Sequence, residues 1–170
     1  MKGKIVSINT SKKKGGKKSP VPDAVINNHG IEGDGHSGDW HRQISLLSME
    51  SILEVNNKGV EANPGDFAEN LTVSGMDMTK LKIGDRLEIK SAGPASKCGD
   101  EAAKKEEDKR SGSIILEVTQ IGKECPKPCR IYYQMGSCIM PKEGIFCRSI
   151  KPGRIATGDM ITSGDSKNRN

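Results

Sequence analysis

Apolar residues in this chain fall in short runs separated by polar turns, a pattern of strands rather than long helices. The run "KIVSIN" at 4–9 predicts a first strand, and "VPDAVI" at 21–26 predicts its partner across a lysine-rich turn. "NPGDFAENLTVSG" reads as a turn leading into a short strand. Residues 86–90 predict another strand, "SIILEVTQIG" a strong one, "EGIFCRSI" a further one, and "GRIATGDMITSG" two short ones around a turn. One segment has helical character. "ISLLSMESILEVNNKG" opens apolar and becomes a helix of roughly ten residues, with Ile52, Leu53 and Val55 as its core contacts. Gly59 fits the position just past its C-terminus.

The dipeptide Gly-Asp recurs at 33, 38, 65, 84, 99, 158 and 164. Glycine supplies positive φ and aspartate caps its own turn, so these pairs are turn chemistry between short strands. "LKIGDRLEI" and "IATGDMIT" read as equivalent strand–turn–strand units. Many short strands with one helix predict a mainly β fold, a barrel or folded sheet. Residues 91–112 break the pattern, being charged, small and nearly free of large apolar groups. They predict an exposed, mobile insertion, compatible with a helical piece at 101–110. The length suits one domain, residues 1–165, with a disordered tail at 166–170.

Composition narrows the setting. No run of about 18 apolar residues exists, so no membrane span is expected. The N-terminus lacks the apolar stretch of a signal peptide, which favours the cytoplasm. Five cysteines in a reducing compartment are free thiols or ligands sooner than bridges. The formal net charge of +5 is local, because residues 1–20 hold seven lysines and no acid. The remainder carries 20 basic and 22 acidic residues. Neither a stacking aromatic nor a nucleic-acid motif accompanies "SKKKGGKKSP", so it reads as a solvated hairpin tip turning at Gly15-Gly16, with no nucleic-acid partner expected.

Three constellations can carry chemistry. The loop "HGIEGDGHSGDWHRQ" gathers all three histidines, His29, His36 and His41, with the sole tryptophan, Trp40, and the pair Arg42-Gln43. Its glycines let backbone N–H groups approach a ligand. Zinc held by the histidines with Asp34 and Asp39 is an alternative, but the spacing matches no compact zinc motif. Asn70 stands where a turn enters a strand, and its amide can donate and accept together, as a heterocycle edge requires. In "GKECPKPCRIYY", Cys125 and Cys129 flank Pro-Lys-Pro. The spacing is not the common zinc pair, and the prolines stiffen the segment in an extended form that disfavours a bridge. What remains is a thiol whose direction Pro128 fixes, with Lys123, Lys127 and Arg130 close in sequence to favour the thiolate. A reactive thiol and an inert barrel cysteine both stay open on these grounds.

"GIEGDGHSGDWHRQISLLSMESI", "PGDFAENLTVSG", "LKIGD", "ILEVTQIGKECPKPCRIYY" and "EGIFCRSIKPGRIATGD", in this order and spacing, resemble the MOSC domain over residues 3–162. The family is named for the C-terminal domain of molybdenum cofactor sulfurase, and the likeness is to its small stand-alone bacterial type. It implies a β-barrel of the pyruvate-kinase-insert kind with one or two short helices. It also implies that Cys129 carries sulfur or ligates the molybdenum of a bound pterin cofactor, molybdopterin, and no zinc is expected. His36, Arg42, Gln43, Asn70 and Arg130 are the residues expected at the cofactor. The implied partners are molybdenum cofactor biosynthesis enzymes, or a cysteine desulfurase as sulfur source. Alternatives are a small molybdenum-dependent oxidoreductase reducing N-hydroxylated substrates with an electron-donor partner, and a non-catalytic carrier of the pterin. Ala68 stands where reductases of the family often carry arginine, and Cys98 in the insertion matches no family position.

Overall fold

β1 (Lys2–Thr10) alternates exposed and buried positions over residues 2–5, as expected of a strand with one face on a core, and past a register shift Ser7, Ile8 and Asn9 are all buried. It pairs with β6 (Leu71–Ser74) on one side and with β11 (Met160–Ser163) on the other. That second pairing closes a barrel of seven strands in the order β11, β7 (Arg86–Lys90), β8 (Ile114–Ile121), β9 (Ile145–Lys151), β5 (Ile44–Ser48), β6 and β1. Closure removes the open sheet edge that short strands would otherwise expose. The computed structural model describes residues 1–91, 112–124 and 128–164. The expected insertion, Cys98, Cys125 and the tail therefore lie, wholly or nearly so, outside the described residues.

Inside the barrel Ile5, Ile44, Leu46, Leu71, Leu116 and Ile161 are fully buried. Each such side chain contributes about 1.5–3 kcal/mol through the apolar surface it removes from water. A second cluster lies outside, on the other face of β5, built from Leu47, Ile52, Val55, Phe67 and Ile131. It is sandwiched between α1 (Met49–Asn57) and α2 (Arg130–Met135). A third short helix, α3 (Met140–Glu143), leads into β9; the sequence pattern predicts one helix and the resemblance one or two, against three α-helices among the described residues. None of the helices among these residues is long and apolar enough to cross a membrane.

Two expectations about strand pairing need correction. Only β2 (Ser19–Val21) pairs with β1; the chain then leaves the barrel at Pro22, which has no N–H to continue the ladder. β3 (Asp23–Asn27) instead joins β4 (Gly30–Ile31) and β10 (Gly153–Ala156) in a separate three-stranded sheet. β10 and β11 are the two short strands expected around one turn, though they belong to different sheets, whereas "LKIG" before β7 is not a strand.

α1 forms the parallel crossover from β5 to β6. Ser48 caps it, accepting from the Ser51 N–H at 3.3 Å, and Gly59 follows the C-terminal residue Lys58 at φ +84, a conformation that favours glycine. Ile52 and Val55, three apart, face the second cluster, but Leu53 is 48% exposed, since the position next to Ile52 turns to another face of the helix. Glu50 ties the start of α1 to the end of β6. Its carboxylate accepts from the Ser48 and Ser74 hydroxyls and the Gly75 N–H at 2.7–2.8 Å. Partial burial pushes this carboxyl up, but those three bonds outweigh it and bring it down to about 2. A depressed folded-state value stabilises the fold above the unfolded value, about 4.3. That contribution fades as pH falls from there through about 2. Glu50→Gln therefore melts below wild type at pH 7, and the two melting temperatures converge toward pH 2. A gap independent of pH in a melting series would refute this.

Candidate functional site

The lysine-rich turn is exposed at residues 12–15 and at Lys17, as its composition predicts, but its base is anchored in the protein. Lys18 is completely buried, and its ammonium donates to both oxygens of Asp34 at 2.6 and 2.5 Å. Asp34 also accepts from the Ser11 N–H and from the His36 N–H, each at 2.9 Å. One carboxylate thus fastens both ends of the turn, residues 11 and 18, to the glycine-rich loop. Burial pushes the Asp34 carboxyl up, but the bonds from His36, Lys18 and Ser11 hold it well below the usual carboxylate range. Burial draws the Lys18 ammonium down, against the pull of Asp34 and then of Glu69. Gly35 is the contact point. A Cβ there would lie 2.8 Å from the Lys12 carbonyl oxygen, so only glycine lets the turn seat.

Beyond this staple the loop presents Trp40. The indole N–H donates to the His36 carbonyl at 2.8 Å, which fixes the ring. The His36 imidazole stacks at 6.4 Å between centroids with planes 11° apart. The Arg42 guanidinium lies 4.9 Å and the Lys14 ammonium 5.4 Å from the Trp40 centroid. Nε of Arg42 and Nδ1 of His36 are buried without a hydrogen-bond partner, Nδ1 standing 3.7 Å from Asp34. Gln43 serves the loop itself. Its amide donates to the Asn28 and Gly38 carbonyls and accepts from the Ser149 N–H.

Asn70 is likewise engaged within the fold. Its oxygen accepts from both the N–H and the hydroxyl of Ser45 at 3.1 Å, and its amide nitrogen donates to the Asn9 carbonyl at 3.2 Å. Just before it, Ala68 is the single non-glycine among the described residues with positive φ, at +64. Such a conformation costs on the order of 1–3 kcal/mol and tends to mark functional loops. Ser45 faces Phe146 across β5 and β9, and Phe146 faces Gln120 on β8. A bulge between Val118 and Gln120 lets the Thr119 hydroxyl reach the carbonyls of His41 and Phe146. Loop 36–43 and loop 65–70 are thus anchored on one outward row of the barrel: the first through His41, the second through Ala68, whose carbonyl accepts from Ser45.

Cys129 precedes α2 and occupies its cap position, but its side chain makes no cap hydrogen bond. It is exposed, whereas Cys138 is half-buried against the second cluster. Cys147 is fully buried in the barrel, where burial and then the charge of Glu117 push its thiol far up. Arg130 turns away from the thiol's service, donating to the Glu61 carbonyl at 3.0 Å and toward Gln134 at 3.3 Å. Ile131 packs in the same cluster as Phe67, which seats α2 beside the loop carrying Ala68 and Asn70.

The family model described as MOSC domain matches residues 33–162, most of the chain. The chain belongs to the MOSC domain family. That family is associated with the molybdenum cofactor. No curated protein matches the sequence. In fold, this MOSC domain is similar to the YuaD protein from Bacillus subtilis, with a TM-score of 0.70 at 23% identity, covering 95% of this chain and 94% of that one. YiiM from Geobacillus stearothermophilus gives a TM-score of 0.62 at 19% identity, covering 96% of this chain and 75% of that one. YiiM from Escherichia coli gives 0.58 at 17%, covering 96% and 70%.

Of the residues singled out in the sequence of this MOSC domain, the structure brings His36 and Arg42 together at Trp40. Gln43 and Asn70 hold the two loops, and Cys129 with Arg130 stands at α2 beside the second loop. Asp34, weighed as a zinc ligand, commits its oxygens to Lys18, Ser11 and His36. Lys14, Lys18 and Glu69 were not singled out. Glu69 is fully buried; burial raises its carboxyl, while the Gly65 N–H and the Thr72 hydroxyl donate to one of its oxygens. No local signal distinguishes Lys18 from the exposed lysines beside it.

Proposed function

We propose that the domain binds the molybdenum cofactor, or a sulfur destined for it, with Cys129 as the ligating or sulfur-carrying group. The observation that carries this reading is the exposed Cys129 thiol, free of any cap bond, at the start of the helix whose Ile131 shares a cluster with Phe67 of the second loop. The donor set fits such a ligand. A thiolate is a soft donor suited to molybdenum or to a persulfide sulfur. Arg42 keeps its buried Nε without a hydrogen-bond partner, which suits the anionic end of a pterin, while the His36 Nδ1 faces Asp34. When bound, the cofactor supplies a metal centre that a thiolate can ligate. Within the chain, Asp34 orders the glycine loop, Gln43 holds its backbone, and Asn70 ties the end of the second loop to Ser45 of β5 and Asn9 of β1.

The test is metal analysis and mass spectrometry of protein made in a molybdenum-replete host and purified without oxygen. Molybdenum with pterin, or a mass increase of one sulfur on Cys129, is the expected result. Reductase activity of the metal-loaded protein would select the oxidoreductase reading, and pterin without metal or persulfide the carrier. Protein holding no molybdenum, no pterin and no persulfide would overturn the proposal.

A further inference from the structure

The lysine turn is exposed at its tip but anchored at its base by Asp34 and against Gly35, and this anchoring leaves one cation in a defined place. Asp34 and Lys18 cancel each other inside the protein. Lys14 is delivered to the ring that Arg42 and His36 already approach. Among the described residues neither Lys14 nor Arg42 makes an ion pair, and Asp39 is the single carboxylate between residues 35 and 43. Both cations sit against one indole, so their charges are at most about 10 Å apart. They repel each other, and a cation over a part-exposed aromatic face is held more weakly than in a charge-assisted hydrogen bond. A linked pair of phosphates can give each cation its own anionic group, whereas a single phosphate has to serve both.

We propose that Lys14, Arg42 and His36 around Trp40 form a diphosphate-binding site, so that the ligand taken is a pterin extended by a nucleotide rather than the monophosphate. This rests on the cofactor reading above, and it adds a residue from the lysine turn, which precedes the segment matched by the family model. Lys14 is a binding residue of this site. Lys12 and Lys13 contribute backbone that seats the turn on Gly35.

Trp40 is the only tryptophan, so its emission reports on this site alone. The full chain is titrated with inorganic pyrophosphate, and separately with inorganic phosphate, at constant ionic strength near 0.15 M, with calorimetry alongside. Pyrophosphate is expected to saturate at concentrations at least tenfold below phosphate. Lys14→Gln is expected to raise the half-saturation point about tenfold, the loss of one charge-assisted contact. Lys17→Gln removes the same charge from the same turn but from a lysine paired with Asp66 at 2.7 Å, and it should leave the curve unchanged. Equal effects of the two substitutions would show diffuse charge and overturn the site, as would absence of binding in both emission and heat. Pterin and molybdenum in the purified protein with no pyrophosphate binding would remove the diphosphate site and keep the cofactor reading. The opposite pattern would keep the site and remove that reading.

Discussion

Asp34→Asn is expected to lower the unfolding free energy by about 3–5 kcal/mol, the usual cost of removing one member of a buried ion pair. The substitution keeps shape and one acceptor oxygen but withdraws the charge opposite Lys18. That ammonium is fully buried and bonded to both Asp34 oxygens, so no water can replace the lost partner. Glu69 is the only other anion acting on it, and burial pushes Glu69 toward its neutral form. Against a typical domain stability of about 5–15 kcal/mol, the loss is a large share. Lys18→Met should cost a similar amount by stranding Asp34, while the double variant should recover much of it, because a neutral pair leaves no buried charge. Urea unfolding of the four proteins, followed by circular dichroism, measures the coupling. Losses below about 1 kcal/mol in both single variants would refute the pair's role. The sign of the pH dependence follows from the depressed Asp34 value. Its contribution is complete above about pH 4 and is lost as pH falls below the unfolded value.

Cys129→Ser should abolish molybdenum or persulfide loading and leave the fold intact. The exchange replaces a soft, ionisable sulfur by a hard hydroxyl of nearly the same size. The thiol supports nothing in α2, since it makes no cap bond there. Its backbone is extended, at φ −100 and ψ 178, as cap residues are, and serine is a favoured cap. Stability should therefore be unchanged or rise by up to about 1 kcal/mol. Cys125→Ser should retain most of the loading. Metal content and intact mass, read beside a melting curve, separate the outcomes. Loading that survives Cys129→Ser, or is lost in Cys125→Ser instead, would remove Cys129 from its assigned role. Cys147 is no rescue candidate, because its thiol is buried and held protonated.

The apolar rhythm alone placed β1, β6 to β11 and α1 with Gly59, because alternation and turn glycines are read over a few neighbouring residues; β5, an unbroken apolar run merging into α1, and the Ser48 cap were not read from it. The exposed thiol and the glycine loop were also visible as motifs, since cysteine, proline and glycine carry their chemistry in their own covalent structure. Sheet membership was not legible. Whether β3 pairs with β1 or with β10 depends on where Pro22 releases the chain and which distant strand arrives. Nor could the sequence tell buried Lys18 from exposed Lys17. The two are chemically identical, and their difference comes from a carboxylate sixteen positions away that folding brings to one and not the other. The helix after Cys129 became defined by the cluster that receives Ile131, and the roles of Gln43 and Asn70 by the backbone groups around them. Local pattern thus determined most of the strands and which residue types are candidates for chemistry. Burial of charge, pairing across long loops and the assembly of Lys14, Arg42 and His36 on one indole were decided by tertiary structure, because each depends on contacts between segments far apart in the chain.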